Sequence, residues 1–434
     1  MPCPECNQAW NGYWCKPCIS KHFQNDFNNW TSGNDKIDKF IQDAQLIAND
    51  YLNVIEWIPY DRFKDVKQIG KGGFGTIHYA RWIDGYIWEW DIENQQWKRQ
   101  YTDKAVALKK FDNFVNFNDV LNEMEIHLKT NIKAESIRFF GITQDPETHS
   151  YMMVLNYAKE GNLREYLKNN FNNIDWIHKL KNLYYLSSRL MIIHKLDIVH
   201  QDFHPGNILS SDFKNHPLQI SDFGLSKIIG ANPDSPEKKN IFGVLPYIAP
   251  EVLSGDAEYT KAADVYSYGI IAYEIVTEFP PYPDIPHDKD LAMKICNGLR
   301  PKIPFRTPKL ITRMIMRCWD ARVTLRPTFE ELYYELKKYY GDYVREGKNK
   351  EIGIQIKKAA ELSANQESTN TTTTTLNYQT HPQAIYTSRL LNFSNLPKPK
   401  NKENFERELE ELTESTSVSS IGDSGIVDLD MSNF

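Results

Sequence analysis

The chain has 434 residues, 41% hydrophobic and 25% charged, with a formal net charge of -6. That apolar share supports a sizeable core and excludes a wholly disordered chain, and the length suggests about two or three domains. The mild acidity gives no argument for nucleic acid or an anionic membrane as partner, so neither is expected.

Six cysteines in this length exclude a disulfide scaffold. The N-terminus, MPCPECNQAW, has neither the basic n-region nor the apolar h-region of a secretory signal. The most apolar stretch, Tyr266 to Val276, falls short of the roughly 20 residues that a spanning helix needs. A cytoplasmic location with reduced thiols and no membrane span is expected.

Residues 1–20 form a Cys-rich knob. Cys3-x-x-Cys6 and Cys15-x-x-Cys18 are two knuckles with eight residues between them. In a reducing compartment such pairs point to metal, and four thiolates suit tetrahedral Zn²⁺. A role in local folding or partner binding follows. Residues 21–62 read as a helical lead-in. Ile37, Phe40, Ile41, Ala44, Ile47 and Ala48 recur at helical spacing within 35–59, and Asn34 or Asp35 caps the start.

Residues 69–77 read Ile-Gly-Lys-Gly-Gly-Phe-Gly-Thr-Ile, and Gly70, Gly72 and Gly75 fit G-x-G-x-x-G. Such spacing also suits a dinucleotide fold, but Thr76 to Trp82 reads as a strand, not the helix that fold requires. A glycine-rich strand-loop-strand lets backbone N–H groups close over phosphates. A second strand, Ala105-Val106-Ala107-Leu108-Lys109, carries an amine in an apolar run. Buried, that amine needs anionic partners; on an edge strand it reaches solvent instead. The insert 82–104 reads as a hairpin with an aromatic face (Tyr86, Trp88, Trp90) packed on the N-terminal helix. Residues 117–130 read as a helix, with Glu123 or Glu125 as the inward carboxylate.

Residues 199–209 read Val-His-Gln-Asp-Phe-His-Pro-Gly-Asn-Ile-Leu, 220–225 read Ile-Ser-Asp-Phe-Gly-Leu, and 247–251 read Tyr-Ile-Ala-Pro-Glu. These resemble the catalytic loop, the D-F-G metal loop and the A-P-E segment of a eukaryotic protein kinase. With the glycine loop and the V-A-L-K strand, five motifs stand in the family's order, over roughly 63–340. The Cys-Trp ending with Arg326-Pro327 resembles that of the tyrosine and tyrosine-kinase-like groups, and Asp264-Val-Tyr-Ser-Tyr-Gly agrees. The whole pattern, with Trp30-Thr-Ser-Gly-Asn34, is similar to the expanded kinase set of arbuscular mycorrhizal fungi.

The resemblance implies an α+β, two-lobed kinase fold. The N-lobe (63–158) is β-rich and the C-lobe (159–340) helical, preceded by the Cys-rich module and followed by a tail. It implies an ATP-dependent protein kinase that transfers the γ-phosphoryl of Mg-ATP to a protein hydroxyl, with Ser/Thr preferred. The alternative is a pseudokinase scaffold that binds nucleotide without turnover.

By resemblance, Lys109 contacts the α- and β-phosphates and is held by Glu123. Asp222 and Asn207 bind Mg²⁺, and Asp202 accepts the acceptor's proton. Gly70, Gly72, Gly73, Phe74 and Gly75 cover the phosphates. Ile77, Ala107 and Leu209 sandwich the adenine, and backbone groups at Asn156 and Ala158 pair its edge beside Leu155. Glu251 pairs with Arg326, and Asp264 holds the catalytic-loop backbone.

Departures from the family pattern stand out. Gln201 replaces the Arg that meets a phosphate on the activation loop, which implies activity independent of phosphorylation there. His204 stands where Ser/Thr-specific kinases place Lys, and is the group expected near the γ-phosphate. His127, four after Glu123, reads as a satisfied core histidine stacked on Phe223. Beyond Gly347 the composition turns polar, with an unbroken Thr371 to Thr375 run, so 341–434 is expected to be mostly disordered.

Overall fold

Alternation of apolar residues makes the strands of a first unit, residues 1–162, 196–198 and 207–229. The structure, a computed structural model, describes residues 2–8, 14–72, 75–111, 117–131, 136–216, 218–229, 241–367 and 380–421. Gly73, Phe74 and the Thr run therefore lie outside the described residues.

The first unit opens with α1 (Lys16–Asp26) and α2 (Asp35–Ile47). Then come β1 (Glu56–Trp57), β2 (Phe63–Gly72), β3 (Gly75–Trp82), β4 (Tyr86–Asp91), β5 (Gln96–Gln100) and β6 (Lys104–Phe111). Helix α3 (Phe117–Asn131) and strands β7 (Phe139–Gln144) and β8 (Tyr151–Asn156) complete the series. Six strands form one sheet in the order β1-β7-β8-β6-β3-β2, and β4-β5 is a separate hairpin. Only the β1–β7 pair in that sheet is parallel.

One expectation for the lead-in changes. The helix expected over 35–59 stops at Ile47. Asp50 then caps a short turn through the Leu52 N–H (3.0 Å), and Glu56–Trp57 join the sheet against Gly141 and Ile142. The chain after Ala48 passes through a short turn, Tyr51–Asn53, into this two-residue strand, a switch that the preceding helical spacing does not announce. The start is capped by Asn34, whose Oδ1 accepts from Lys36 N (3.0 Å). Just upstream, the Asp38 carboxylate takes the Thr31 hydroxyl (2.6 Å) and the Ser32 N–H (2.7 Å). Burial opposes its charge, yet the Ser32 and Thr31 hydrogen bonds hold its pKa below the usual range. The Trp30–Asn34 segment is thus a helix entry.

The hairpin β4–β5 carries the expected aromatic face, but its main support is α1 rather than the helix over 35–47. His22 stacks on Trp90 (4.0 Å between centroids) and Phe23 on Trp97 (4.3 Å). Trp14, Ile19, Phe23 and Ile87 share one small core.

The second unit comprises residues 163–195, 199–206 and 230–434. Its helices include α4 (Leu163–Asn169), α5 (Trp176–Lys195), α6 (Pro250–Ser254), α7 (Lys261–Thr277), α8 (Lys289–Cys296), α9 (Lys309–Cys318) and α10 (Phe329–Glu346). Helix α7 is buried nearly all round, which explains its unbroken apolar run. Among the described residues no helix is long and apolar enough to cross a membrane.

The expectation of a mostly disordered 341–434 is corrected for much of its length. Helix α10 runs to Glu346, α11 covers Glu351–Glu367 and α12 covers Phe405–Ile421 along α9. A short strand, Arg389–Leu391, pairs antiparallel with Ile241–Gly243. Leu391, Phe393 and Leu396 reach a core with Leu245, Ile248 and Ile295. Three apolar side chains at irregular spacing carry no period, so sequence patterning misses them.

Candidate active site

Strand β6 delivers Lys109, and α3 delivers Glu123 on its inward face, in the first unit. The Lys109 ammonium donates to Glu123 Oε1 (2.5 Å) and Asp222 Oδ1 (2.8 Å). Burial works against this ammonium, but the Asp222 and Glu123 carboxylates outweigh it and raise its pKa. The buried reading of Lys109 holds. The choice of carboxylate is also resolved: Glu125 is half exposed and pairs with Lys129 on the helix surface (2.7 Å).

His127 overturns one expectation. It is fully buried, but neither ring nitrogen has a hydrogen-bond partner among the described residues. Its Nε2 lies 3.8 Å from Glu123 Oε1, beyond a hydrogen bond. The ring meets Phe223 edge-on (4.9 Å, 89°) rather than stacked.

Asn207 and Asp222 are brought onto the same unit as Lys109. The Asn207 carbonyl accepts from Ser221 N (2.9 Å), tying the strands Ile208–Leu209 and Gln219–Ile220 together one residue before Asp222. Asp222 holds a positive φ of 62°. Its side chain is one-third exposed, so carboxylate surface remains for a cation.

Ala107, Leu155, Ala158 and Leu209 all border one apolar cluster of this unit. Ile77 is half-buried on β3, opposite Lys109 in the ladder. Asn156 commits its N–H to Arg138 O (2.8 Å). Gly70 and Gly72 close β2, and Gly75 opens β3 as the register partner of Gly72.

Asp202 and His204 lie in the second unit and are both buried. The Asp264 carboxylate underpins their loop, accepting from His200 N (2.9 Å), Gln201 N (3.3 Å), His194 Nε2 (2.9 Å) and Tyr259 OH (3.0 Å). Burial opposes that charge, but the hydrogen bond from His194 and the nearby His200 lower its pKa. Gln201 adopts φ 66°, a conformation that these bonds sustain. His204 Nδ1 accepts from Gly206 N (3.0 Å), which assigns the proton of the neutral ring to Nε2. That nitrogen faces Asp202 Oδ1 at 3.6 Å. Farther along, Glu251 and Arg326 make a bidentate pair, both bonds 2.7 Å.

In the Cys-rich knob the four Sγ atoms lie within 4.8 Å of one another. Cys3 and Cys18 are 3.8 Å apart, and Cys6 and Cys15 are 3.5 Å apart. A tetrahedral Zn²⁺ at about 2.3 Å from each sulfur spaces them about 3.8 Å apart, so the donor set fits. Burial pushes the Cys3 thiol up, but the Cys6 and Glu5 backbone N–H groups bring it down to about 7.

The family model described as protein tyrosine and serine/threonine kinase matches residues 63–336. Among curated proteins, the chain is 30% identical over 309 residues to a protein of Acanthamoeba polyphaga mimivirus named as a serine/threonine-protein kinase/receptor, covering 70% of this chain and 17% of that protein. It is 28% identical over 277 residues to a tyrosine-protein kinase of Girardia tigrina, covering 61% of this chain and 50% of that one. It is 27% identical over 299 residues to a dual specificity protein kinase of Dictyostelium discoideum, covering 65% and 12%. The chain thus spans half or less of each of these relatives' length.

Proposed function

Because the chain belongs to the protein kinase family, and that family's domain implies ATP and Mg²⁺, we propose that it transfers the γ-phosphoryl of Mg-ATP to a protein hydroxyl. The single observation that carries this is the Lys109–Glu123–Asp222 triad, in which a buried carboxylate and a partly exposed one hold a single buried amine. A scaffold without turnover has no use for Asp202 and Asn207 in addition, and both are present.

Lys109, oriented by Glu123, receives the α- and β-phosphate oxygens. Asp222 and Asn207 hold Mg²⁺, which neutralises phosphate charge when bound. Asp202 accepts the proton of the acceptor hydroxyl. Ile77, Ala107 and Leu209 face the base. With the Asn156 N–H committed to Arg138, that residue contributes its carbonyl, and Ala158 its N–H. The reading is tested by transfer of labelled phosphate from ATP to casein; equal transfer by the Asp202→Ala variant removes it.

Ser/Thr acceptors and the tyrosine-kinase-like branch are our preference within the family. The support is the overall resemblance to the tyrosine-kinase-like group, whose members mostly phosphorylate Ser/Thr; the local signatures leave the acceptor open, since the tyrosine-specific Arg-Ala-Ala or Ala-Ala-Arg segment and the Ser/Thr-specific Lys two residues past Asp202 are both missing. Cytoplasmic location, a protein substrate and no nucleic-acid partner complete the reading.

His204 offers the phosphate a hydrogen bond, and a charge only when protonated, where Lys would always supply a charge. His204→Lys is expected to raise kcat by about tenfold, since charge-assisted bonds exceed neutral ones by roughly 1.4 kcal/mol. An unchanged or lower kcat counts against that role.

We also propose that Cys3, Cys6, Cys15 and Cys18 hold one Zn²⁺, which would fasten the knob's two short segments. Metal analysis of the purified chain is expected to show about one equivalent of Zn²⁺, lost in a Cys6→Ser, Cys15→Ser variant. Metal-free wild type would end the assignment.

A further inference from the structure

The strand Ile241–Gly243 belongs to the second unit, as does Asp202. A Cβ added at Gly243 would sit 3.3 Å from Asp202 Oδ1, so this strand runs beside the proton acceptor. Its free edge is taken by the chain's own C-terminal region. Ile241 pairs with Leu391, Phe242 with Leu390, and Gly243 with Arg389. Carrying this register one residue on sets Ser388 against Val244. The Ser388 hydroxyl is buried and has no hydrogen-bond partner among the described residues.

The segment is held along its length. His287 donates its N–H to Gln383 O (2.9 Å), and its Nδ1 meets Ile385 O (2.9 Å). Tyr386 donates its hydroxyl to Pro281 O (2.8 Å) and lays its ring on the Arg164 guanidinium (4.5 Å). The Arg389 guanidinium bonds His287 O, and Leu391 is buried. Downstream, Gly298 at φ +95° lets the chain cross closely: a Cβ there would meet Lys402 N at 2.7 Å. Extended backbone pairing with alternating side-chain pockets is how a sheet edge receives a peptide.

We propose that residues 383–396 are the chain's own substrate segment, docked on Ile241–Gly243 with Ser388 as phosphoacceptor. This rests on the kinase reading above. Ser388 Oγ bonds to the γ-phosphorus of ATP as the bond from that phosphorus to ADP breaks; the hydroxyl proton passes to the Asp202 carboxylate, and ADP leaves. The docked segment also competes with any protein acceptor that enters as a strand. Being tethered, it does so at about millimolar effective concentration.

Full-length chain with Mg-ATP is expected to gain phosphate on Ser388, read by peptide mass mapping. The rate constant should be independent of protein concentration, and Asp202→Asn should abolish it. Releasing the segment by Leu391→Asp is expected to raise kcat/KM on casein by about tenfold or more. Should that variant unfold the lobe, Tyr386→Ala, whose side chain is only partly buried, carries the test. A synthetic 383–396 peptide with Ala at the Ser388 position should inhibit the released variant in competition with casein. Casein labelling without Ser388 labelling, or released variants no faster than wild type, overturns the proposal and leaves the kinase reading standing. Absence of transfer to every acceptor removes both.

Discussion

Asp202→Asn is expected to lower kcat for phosphoryl transfer by about 10²–10⁴-fold, the range for loss of a positioned proton acceptor. The amide has nearly the same shape, so the loop keeps its bonds to Asp264, and thermal stability should stay near that of wild type. What disappears is a carboxylate basic enough to take the hydroxyl proton. The KM for ATP should therefore hold, since Lys109, Glu123 and Asp222 are untouched. Steady-state kinetics on casein separates the two constants. A loss confined to the KM for ATP, with kcat intact, would remove Asp202 from the chemistry.

The second large effect is structural. Arg326→Met should destabilise the second unit by about 3–5 kcal/mol, because Glu251 is left buried and uncompensated. Both partners are buried, and Arg326 also donates to Asp320 O (2.8 Å) and Ala262 O (2.9 Å). At about 2–4 °C per kcal/mol for a unit of this size, the melting temperature should fall by roughly 6–20 °C. Adding Glu251→Gln removes the stranded charge and should recover much of the loss, as in a double-mutant cycle. A fall of only a degree or two in the single variant would show that water reaches the pair.

The side chains proposed for catalysis were legible because phosphoryl transfer demands fixed residue types at fixed local spacing. Lys109, Asp202, Asn207 and Asp222 each sit within a run of a few residues. The Glu123-or-Glu125 question needed three dimensions, since two glutamates two positions apart differ only in which face α3 buries. Glu56–Trp57 escaped because a two-residue strand has no period of its own and its partner is some 85 residues away. The segment 383–396 escaped for the same reason. Its bonds run to His287, Pro281 and Gly243, and composition registers only its polarity. His127 departs from the expectation differently. A buried ring whose nitrogens have no hydrogen-bond partner among the described residues costs roughly 1–3 kcal/mol, a cost that no local pattern announces.

The α1–hairpin contact has a consequence for how this protein can be divided or recombined. The knob carrying the four cysteines closes its small core with Ile87, Trp90 and Trp97, which belong to the insert between β3 and β6. Neither piece has enough apolar surface of its own to stand alone. A transplant of the first 62 residues onto another catalytic domain would bare Trp14, Ile19 and Phe23, and excision of the hairpin would do the same from the other side. The two segments lie about 60 residues apart in the chain, yet they form one module and have to travel together.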